Sequence, residues 1–218
     1  MRPRLHNLVS YAVAQLVFML VVGLRLAGGA AQRALPIAVS VGIGMWCLHF
    51  ARRASEAAFI HRYGKPQVPL ADVLTEYVYY WGFAVWNALS LLSESYRGPA
   101  LGWVLTGAAV FVLAELGNAK AHRMLRDLRP AGTAARVIPR GFLFERVSSP
   151  HYLFEILTWV GFALATQTWA ALAFLLLGSG ILASWARARH LAYRKDFDGL
   201  EGRASYPAAR RALIPGVF

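Results

Sequence analysis

Apolar residues along this chain come in long unbroken blocks rather than at the spacing of a soluble amphipathic helix. The first, NLVSYAVAQLVFMLVVGLRL at residues 7–26, holds a single charge, Arg25, near its end. Five more follow at 34–50, 71–92, 99–119, 151–167 and 169–185. A bilayer core needs about 20 apolar residues per helix. The pattern therefore predicts an all-α polytopic membrane protein, a bundle of about six transmembrane helices. The first block is full length and followed by others, unlike the apolar run of a secretory leader, so it reads as a retained helix. The closing pair meets at Gln167-Thr168 with almost no connection. Residues 151–185 are thus either a tight helical hairpin or two re-entrant halves.

Composition agrees with this reading. Of 218 residues, 57% are hydrophobic and only 16% charged, against about a quarter charged in a soluble domain. The net charge of +12 is large enough to suggest nucleic acid, but the placement of the charges points elsewhere. Of the 23 Lys and Arg, only Arg25, Arg33 and Arg97 fall on one side of the six spans, which leaves twenty on the other. That is the bias of the positive-inside rule, with both termini cytoplasmic. The membrane is either a bacterial inner membrane or the endoplasmic reticulum, and the Ala- and Arg-rich composition leans bacterial. The single Cys47 lies within an apolar run, which argues against disulfides and a cysteine-ligated metal.

The chain reads as one domain without internal repeats. Its long connection, KAHRMLRDLRPAGTAARVIPRGFLFERVSSP at 120–150, first continues a helix out of the membrane. Pro130 and Gly132 are expected to stop that helix, and Pro139-Arg140-Gly141 to make a second turn. The tail from Ala186 is basic, aromatic and turn-rich, and faces the same side.

Ionisable groups inside spans are costly unless paired or facing a polar cavity. Asp72, Glu76, Glu115, His151 and Glu155 are such groups, with His49 and Glu56 near an interface. Asn118 and His122 are four apart, as are His151 and Glu155, so each pair shares a helix face. His190 and Tyr193, three apart, do the same. These faces converge on the cytoplasmic edge beside Arg126, Arg129, Arg136, Arg187 and Arg189. Such a rim suits a large anionic ligand with aromatic parts, because arginine offers phosphate a planar, bidentate fork. Neither a phosphate-binding loop of the Walker type nor G-x-G-x-x-G occurs. Metal spacing is also lacking: His49 and His61 are twelve apart across a charged stretch, and His151 with Glu155 has no third ligand.

Simpler roles compete at several positions. Arg52, Arg53, Arg62, Arg210 and Arg211 read most simply as topology and anionic-lipid anchors. Asp72 and Glu76 read as lining a helix start, and the aromatics of YVYYWGFAVW, 77–86, as interfacial belt and helix packing. His151, Tyr152 and Glu155, within five residues of one another, read instead as functional, with Tyr152 a proton donor.

At these residues the chain resembles the steroid 5α-reductase superfamily, and within it the trans-2-enoyl-CoA reductases of very-long-chain fatty acid elongation. The similar stretches are HFARRASEAAFIHRYGK (49–65), YVYYWGFAVW (77–86), LGNAKAHRMLRDLRPAG (116–132), VSSPHYLFEILTWVGFALATQ (147–167), WARARHLAYRKDF (185–197) and YPAARRALIPGVF (206–218). Residues 1–48 are then divergent N-terminal helices and 49–218 the family-like region. The resemblance implies a helix bundle with an NADPH site in cytoplasmic loops. It also implies hydride transfer to the β-carbon of an α,β-unsaturated carbonyl lipid, a trans-2-enoyl-CoA or otherwise a 3-oxo-4-ene steroid. It places Tyr152 as the catalytic acid and Asn118, Arg129, His151, Glu155 and Tyr193 at the cofactor. Lys65, His122, Arg126, Arg189 and His190 fall on the same pocket, and Gln15, Phe50 and Glu56 on the substrate side. Two features depart from the family pattern: six spans stand where seven are usual, and residues 1–48 lack the early acidic residue. Gln15 is the nearest polar substitute, able to donate a hydrogen bond but not a proton. Two rival readings are an isoprenylcysteine-type methyltransferase binding S-adenosylmethionine and a non-catalytic lipid-binding relative. The tail lacks the former's Glu-Glu pair.

Overall fold

The structure, a computed structural model, describes residues 1–63, 67–128, 137–200, 202 and 204–218. Six α-helices account for most of them: α1 Pro3–Ala27, α2 Ile37–Ser55, α3 Leu70–Leu91, α4 Leu101–Asp127, α5 Pro150–Thr166 and α6 Trp169–Asp196. Each begins within three residues of where its apolar block starts, except α1, which starts four earlier at Pro3. Proline helps set these starts. Pro3 and Pro150 open α1 and α5, and Pro36 and Pro69 directly precede α2 and α3. At the first helical position the fixed φ is already helical, and the missing N–H is one that no helix would bond. α6 is capped instead by the Thr168 side chain, which accepts from the Ala171 N–H at 3.1 Å.

Hydropathy marks where the helices start better than where they end. α4 and α6 run eight and eleven residues past the predicted blocks, to Asp127 and Asp196, because helical hydrogen bonding continues after the apolar face stops. Pro130 and Gly132 lie outside the described residues. The predicted turn at Pro139–Gly141 is present: Gly141 takes φ +81° and leads into a 3₁₀ turn, Phe142–Glu145. Three helices, α1, α4 and α6, are long and apolar enough to cross a membrane by length and composition. Of the others, α5 has only 17 residues, α2 carries Arg52 and Arg53 in its last turn, and α3 is rich in Tyr and Trp.

α5 and α6 form a helical hairpin. Gln167 adopts the left-handed conformation at φ +46° and reverses the chain within two residues. α4 packs along α5 with almost no side chain between the backbones. A Cβ on Gly107 would lie 2.5 Å from the Gly161 oxygen and the Ala165 nitrogen, and one on Gly161 would lie 2.6 Å from the Phe111 nitrogen. Small residues are what allow membrane helices to approach this closely. Gly161→Leu is therefore expected to sharply lower the yield of folded protein in detergent. Gly180→Ala, which has nothing within 4 Å of its Cβ, should leave that yield unchanged. Equal yields would mean the two helices part without cost.

The apolar centre is Trp46, fully buried and ringed by Phe18, Phe50, Trp159, Phe162 and Phe174. The aromatics of α3 share this packing: Tyr79 stacks on Phe174 at 5.0 Å, and Tyr77 on Trp81 at 4.4 Å. The C-terminal tail folds back over the start of α5, where Ser148 and Ser149 donate backbone N–H groups to the carbonyls of Arg211 and Ala212.

Candidate active site

On α2 and the residue after it, His49, Arg52, Arg53 and Glu56 fall at spacings of three and four, so they share one face. Glu115, Asn118 and His122 do the same on α4, and His151 with Glu155 on α5. The bundle turns these three faces toward one another. The close α4–α5 approach at Gly107 and Gly161 runs along the same pair of helices.

Asn118 is the joint between the three helices. Its amide donates to the His151 carbonyl at 2.7 Å and to Glu155 Oε2 at 3.0 Å, and its oxygen accepts from Arg52 at 3.0 Å. His49 lies between two carboxylates, with Nδ1 2.7 Å from Glu115 and Nε2 3.2 Å from Glu155. A neutral imidazole carries one N–H, so this double contact requires either an imidazolium or a protonated carboxyl. With His49 as imidazolium, the charges of Arg52, Arg53 and His49 match those of Glu56, Glu115 and Glu155. The low-dielectric interior favours that balance.

Arg52 pairs with Glu115 and, at 2.5 Å, with Glu56. Arg53 pairs with Glu56 at 2.7 Å and donates to the Tyr11 hydroxyl at 3.0 Å. Glu56 opens a π-helical turn, Glu56–Ile60, that follows α2, and its Oε2 lies 2.7 Å from His122 Nδ1, which is also 3.1 Å from Arg53 Nη1. Beyond the turn, burial and the neighbouring Arg53 and His122 push the His61 pKa down to about 3. Its ring is therefore neutral at physiological pH.

This placement corrects the anchor reading of Arg52 and Arg53, which point inward because three buried carboxylates and the Tyr11 hydroxyl compensate them. Arg210, also expected to be an anchor, is 2% exposed. It donates to the Pro139 carbonyl at 2.8 Å and to Glu145 at 3.0 Å, pinning the tail to the turn before α5.

Of the residues expected at the cofactor, Asn118, His122, His151 and Glu155 come together in this cluster, joined by Glu56 from the substrate group. Phe50 packs beneath it against His49 at 5.1 Å. A second group sits at the start of α5: Ser148 is 2.7 Å from both His190 and the Tyr206 hydroxyl, and Tyr193 stacks on Tyr206 at 5.3 Å. Tyr152 stands between the two groups. It accepts from Arg189 at 3.3 Å and packs with Leu153, Ile156 and Ala183 against buried Ala186, Ala212 and Leu213. Arg126, at the end of α4, pairs with Asp127 at 2.7 Å. The Gln15 side-chain oxygen is buried in α1 without a hydrogen-bond partner, and the Cys47 thiol donates to the Met19 sulfur at 3.4 Å. Lys65, Arg129 and Arg136 lie outside the described residues.

His151 is the anomaly. It is 3% exposed, yet neither ring nitrogen has a hydrogen-bond partner, and Ser149 Oγ is likewise unpartnered. Its ring stands 4.2 Å from Tyr152 and 5.7 Å from His122. Buried polar groups are nearly always bonded, so these atoms are ones a polar ligand would satisfy.

Two arrangements escape sequence reasoning. Tyr11 shows no signal in its apolar block, yet it joins the cluster through Arg53. Glu56, His61 and His122 bring one ligand atom each within 4.8 Å of one another, where Arg53 already supplies the cation. Two grooves of about 430 and 540 Å³ open around Gln167–Trp169, at the α5–α6 turn, and touch none of these residues.

Residues 66–218 match the family described as 3-oxo-5-alpha-steroid 4-dehydrogenase. The chain belongs to this family. It is 37% identical over 189 residues to a Caenorhabditis elegans protein named probable very-long-chain enoyl-CoA reductase, covering 83% of this chain and 59% of that one. It is 36% identical over 178 residues to the very-long-chain enoyl-CoA reductase of Dictyostelium discoideum, covering 82% and 58%. With 3-oxo-5-alpha-steroid 4-dehydrogenase 1 of Bos taurus it shares 31% identity over 196 residues, covering 87% and 72%. The chain thus spans under three-fifths of the first two relatives' length. The family match takes in the α4 and α5 faces of the cluster, while Tyr11 and the α2 face precede it.

Proposed function

We propose that this protein reduces the carbon–carbon double bond of an α,β-unsaturated carbonyl lipid with NADPH, a trans-2-enoyl-CoA first and a 3-oxo-4-ene steroid otherwise. All six helices cross the membrane in this reading. Both termini and the cluster's open end face the cytoplasm, in line with the charge asymmetry. The observation that carries the proposal is His151, a buried imidazole with both nitrogens unpartnered, set between Tyr152 and a compensated ion cluster.

The residues present fit the cofactor. Unpartnered atoms on His151 and Ser149, with one nitrogen each of Arg52 and Arg53, offer donors and acceptors to a polar ring and its phosphates. Asn118 and Glu155 would hold polar edges, and His122, Arg126, Arg189, His190 and Tyr193 would line the rim. NADPH held by these residues would provide the hydride for the β-carbon. The double-bond electrons move toward the carbonyl, and a proton then completes the new C–H bond at the α-carbon. Tyr152 would deliver that proton, its oxygen already accepting from Arg189. The enoyl substrate's body would lie among the aromatic residues around Phe50.

The test is NADPH oxidation by the purified protein in detergent, with a long-chain trans-2-enoyl-CoA and, separately, a 3-oxo-4-ene steroid. Consumption with the first is expected. Consumption with the steroid alone moves the protein to that substrate class. NADPH binding without turnover of either removes the reductase reading, and the absence of NADPH binding removes the cofactor as well.

A further inference from the structure

The reduction proposed above, on which this inference rests, needs two donors. As hydride adds at the β-carbon, negative charge grows on the carbonyl oxygen, and a hydrogen bond placed there lowers the barrier. The α-carbon then takes a proton. One hydroxyl cannot hold the oxygen through its hydrogen and transfer that hydrogen to carbon in the same step. Tyr152 therefore needs a companion.

Tyr63, Tyr79 and Tyr96 use their hydrogen inside the protein, donating to the carbonyls of Ala57, Phe174 and Thr166, and Tyr77 donates to the Met1 sulfur. Tyr11 and Tyr152 are built differently, and alike. Arg53 Nη2 donates to the Tyr11 oxygen at 3.0 Å, and Arg189 Nη2 to the Tyr152 oxygen at 3.3 Å. Each guanidinium also lies over the ring it serves, 4.9 Å from the centroid of Tyr11 and 5.3 Å from that of Tyr152. An arginine on the phenol oxygen fills its acceptor side and leaves the hydrogen for another acceptor. It also pulls electron density from the O–H bond, which strengthens the donor.

Position selects Tyr11 for the oxygen. It is 6% exposed on α1, its ring edge-on to Tyr80 at 5.6 Å and 6.3 Å from Phe50. The hydroxyl thus marks the junction between the apolar wall of α1, α2 and α3 and the ion cluster. A lipid carbonyl needs that boundary, with the chain in one region and the oxygen at the other. Arg53 is itself held by Glu56 at 2.7 Å and stands 3.9 Å from Glu155, one turn of α5 beyond Tyr152.

We propose that Tyr11 is a catalytic residue, donating its O–H to the carbonyl oxygen of the enoyl substrate and keeping its proton, while Tyr152 protonates the α-carbon.

The experiment compares Tyr11→Phe, Tyr79→Phe and the wild type in detergent, with thermal melts to confirm folding. Tyr11→Phe should lose about 10²- to 10³-fold in kcat, the usual effect of removing one oxyanion donor. NADPH affinity should not change. With NADPH deuterated at the transferred hydrogen, the isotope effect on kcat should rise in Tyr11→Phe, because hydride transfer becomes the slow step. A merely structural role would not produce that rise. Tyr79→Phe should stay near wild type. An active wild type with an equally active, folded Tyr11→Phe overturns the role of Tyr11 alone. A wild type inert toward every enone overturns the reductase reading and this role with it.

Discussion

Tyr152→Phe is expected to bind NADPH as the wild type does and to turn over about 10²- to 10⁴-fold more slowly, the range for loss of a positioned acid. The separation of binding from turnover follows from what the phenol touches. Its ring packs beside Ala186, Ala212 and Leu213, and phenylalanine preserves that packing. What the substitution removes is the hydrogen bond from Arg189 to the hydroxyl, worth about 1 kcal/mol or slightly more to stability. The cofactor contacts assigned to Asn118, His151 and Glu155 do not involve this hydroxyl. Titration of NADPH by intrinsic fluorescence, beside steady-state turnover with a trans-2-enoyl-CoA, separates the two effects. A solvent deuterium isotope effect adds a mechanistic check, since water must replace the missing acid and proton delivery should become rate-limiting. Unchanged turnover removes Tyr152 from the chemistry. Parallel loss of binding and turnover would make it a cofactor contact.

Much of the architecture is legible in the sequence because hydropathy blocks and helices obey the same rule. A chain surrounded by lipid must satisfy its backbone internally, so each apolar block becomes a helix. The pairs Asn118–His122 and His151–Glu155 are legible for a similar reason, since spacing along one helix fixes a shared face. Joining one face to another is not legible. Glu56 and His122 meet at 2.7 Å, although 66 positions separate them. That contact depends on how α2 packs against α4, which no local pattern encodes.

Arg52 and Arg53 show the same limit. A basic pair at the end of an apolar helix is ordinarily a lipid anchor, and in sequence these two look no different from Arg210 and Arg211. Only packing reveals that Glu56, Glu115 and Glu155 surround them. Tyr11 gives no warning because aromatics are common near membrane interfaces, and its partner Arg53 lies 42 positions away. Gln15, one helical turn further along α1, has a buried side-chain oxygen with no hydrogen-bond partner.

Glu155→Leu is expected to be among the most destabilising single substitutions in the bundle. The carboxylate is 12% exposed and lies 3.2 Å from His49 and 3.9 Å from Arg53. It also takes the Asn118 amide at 3.0 Å. Leucine removes one negative charge and leaves His49, Arg53 and Asn118 with unmet groups in a medium that solvates them poorly. Breaking a buried ion pair from one side costs about 3–5 kcal/mol. His49 can relieve part of this by releasing its second proton, since Glu115 still holds Nδ1 at 2.7 Å. The energy is therefore shared, which a double-mutant cycle reads directly. In a His49→Phe background the donor that Glu155 served is already gone, so Glu155→Leu should cost markedly less than in the wild type. Thermal or denaturant unfolding of the four proteins in one detergent measures that coupling. Strictly additive losses would mean that His49 and Glu155 stand close without depending on each other. The charge balance assigned to the cluster, three cations against three carboxylates, would then fail, and with it the reason these groups tolerate burial among apolar helices.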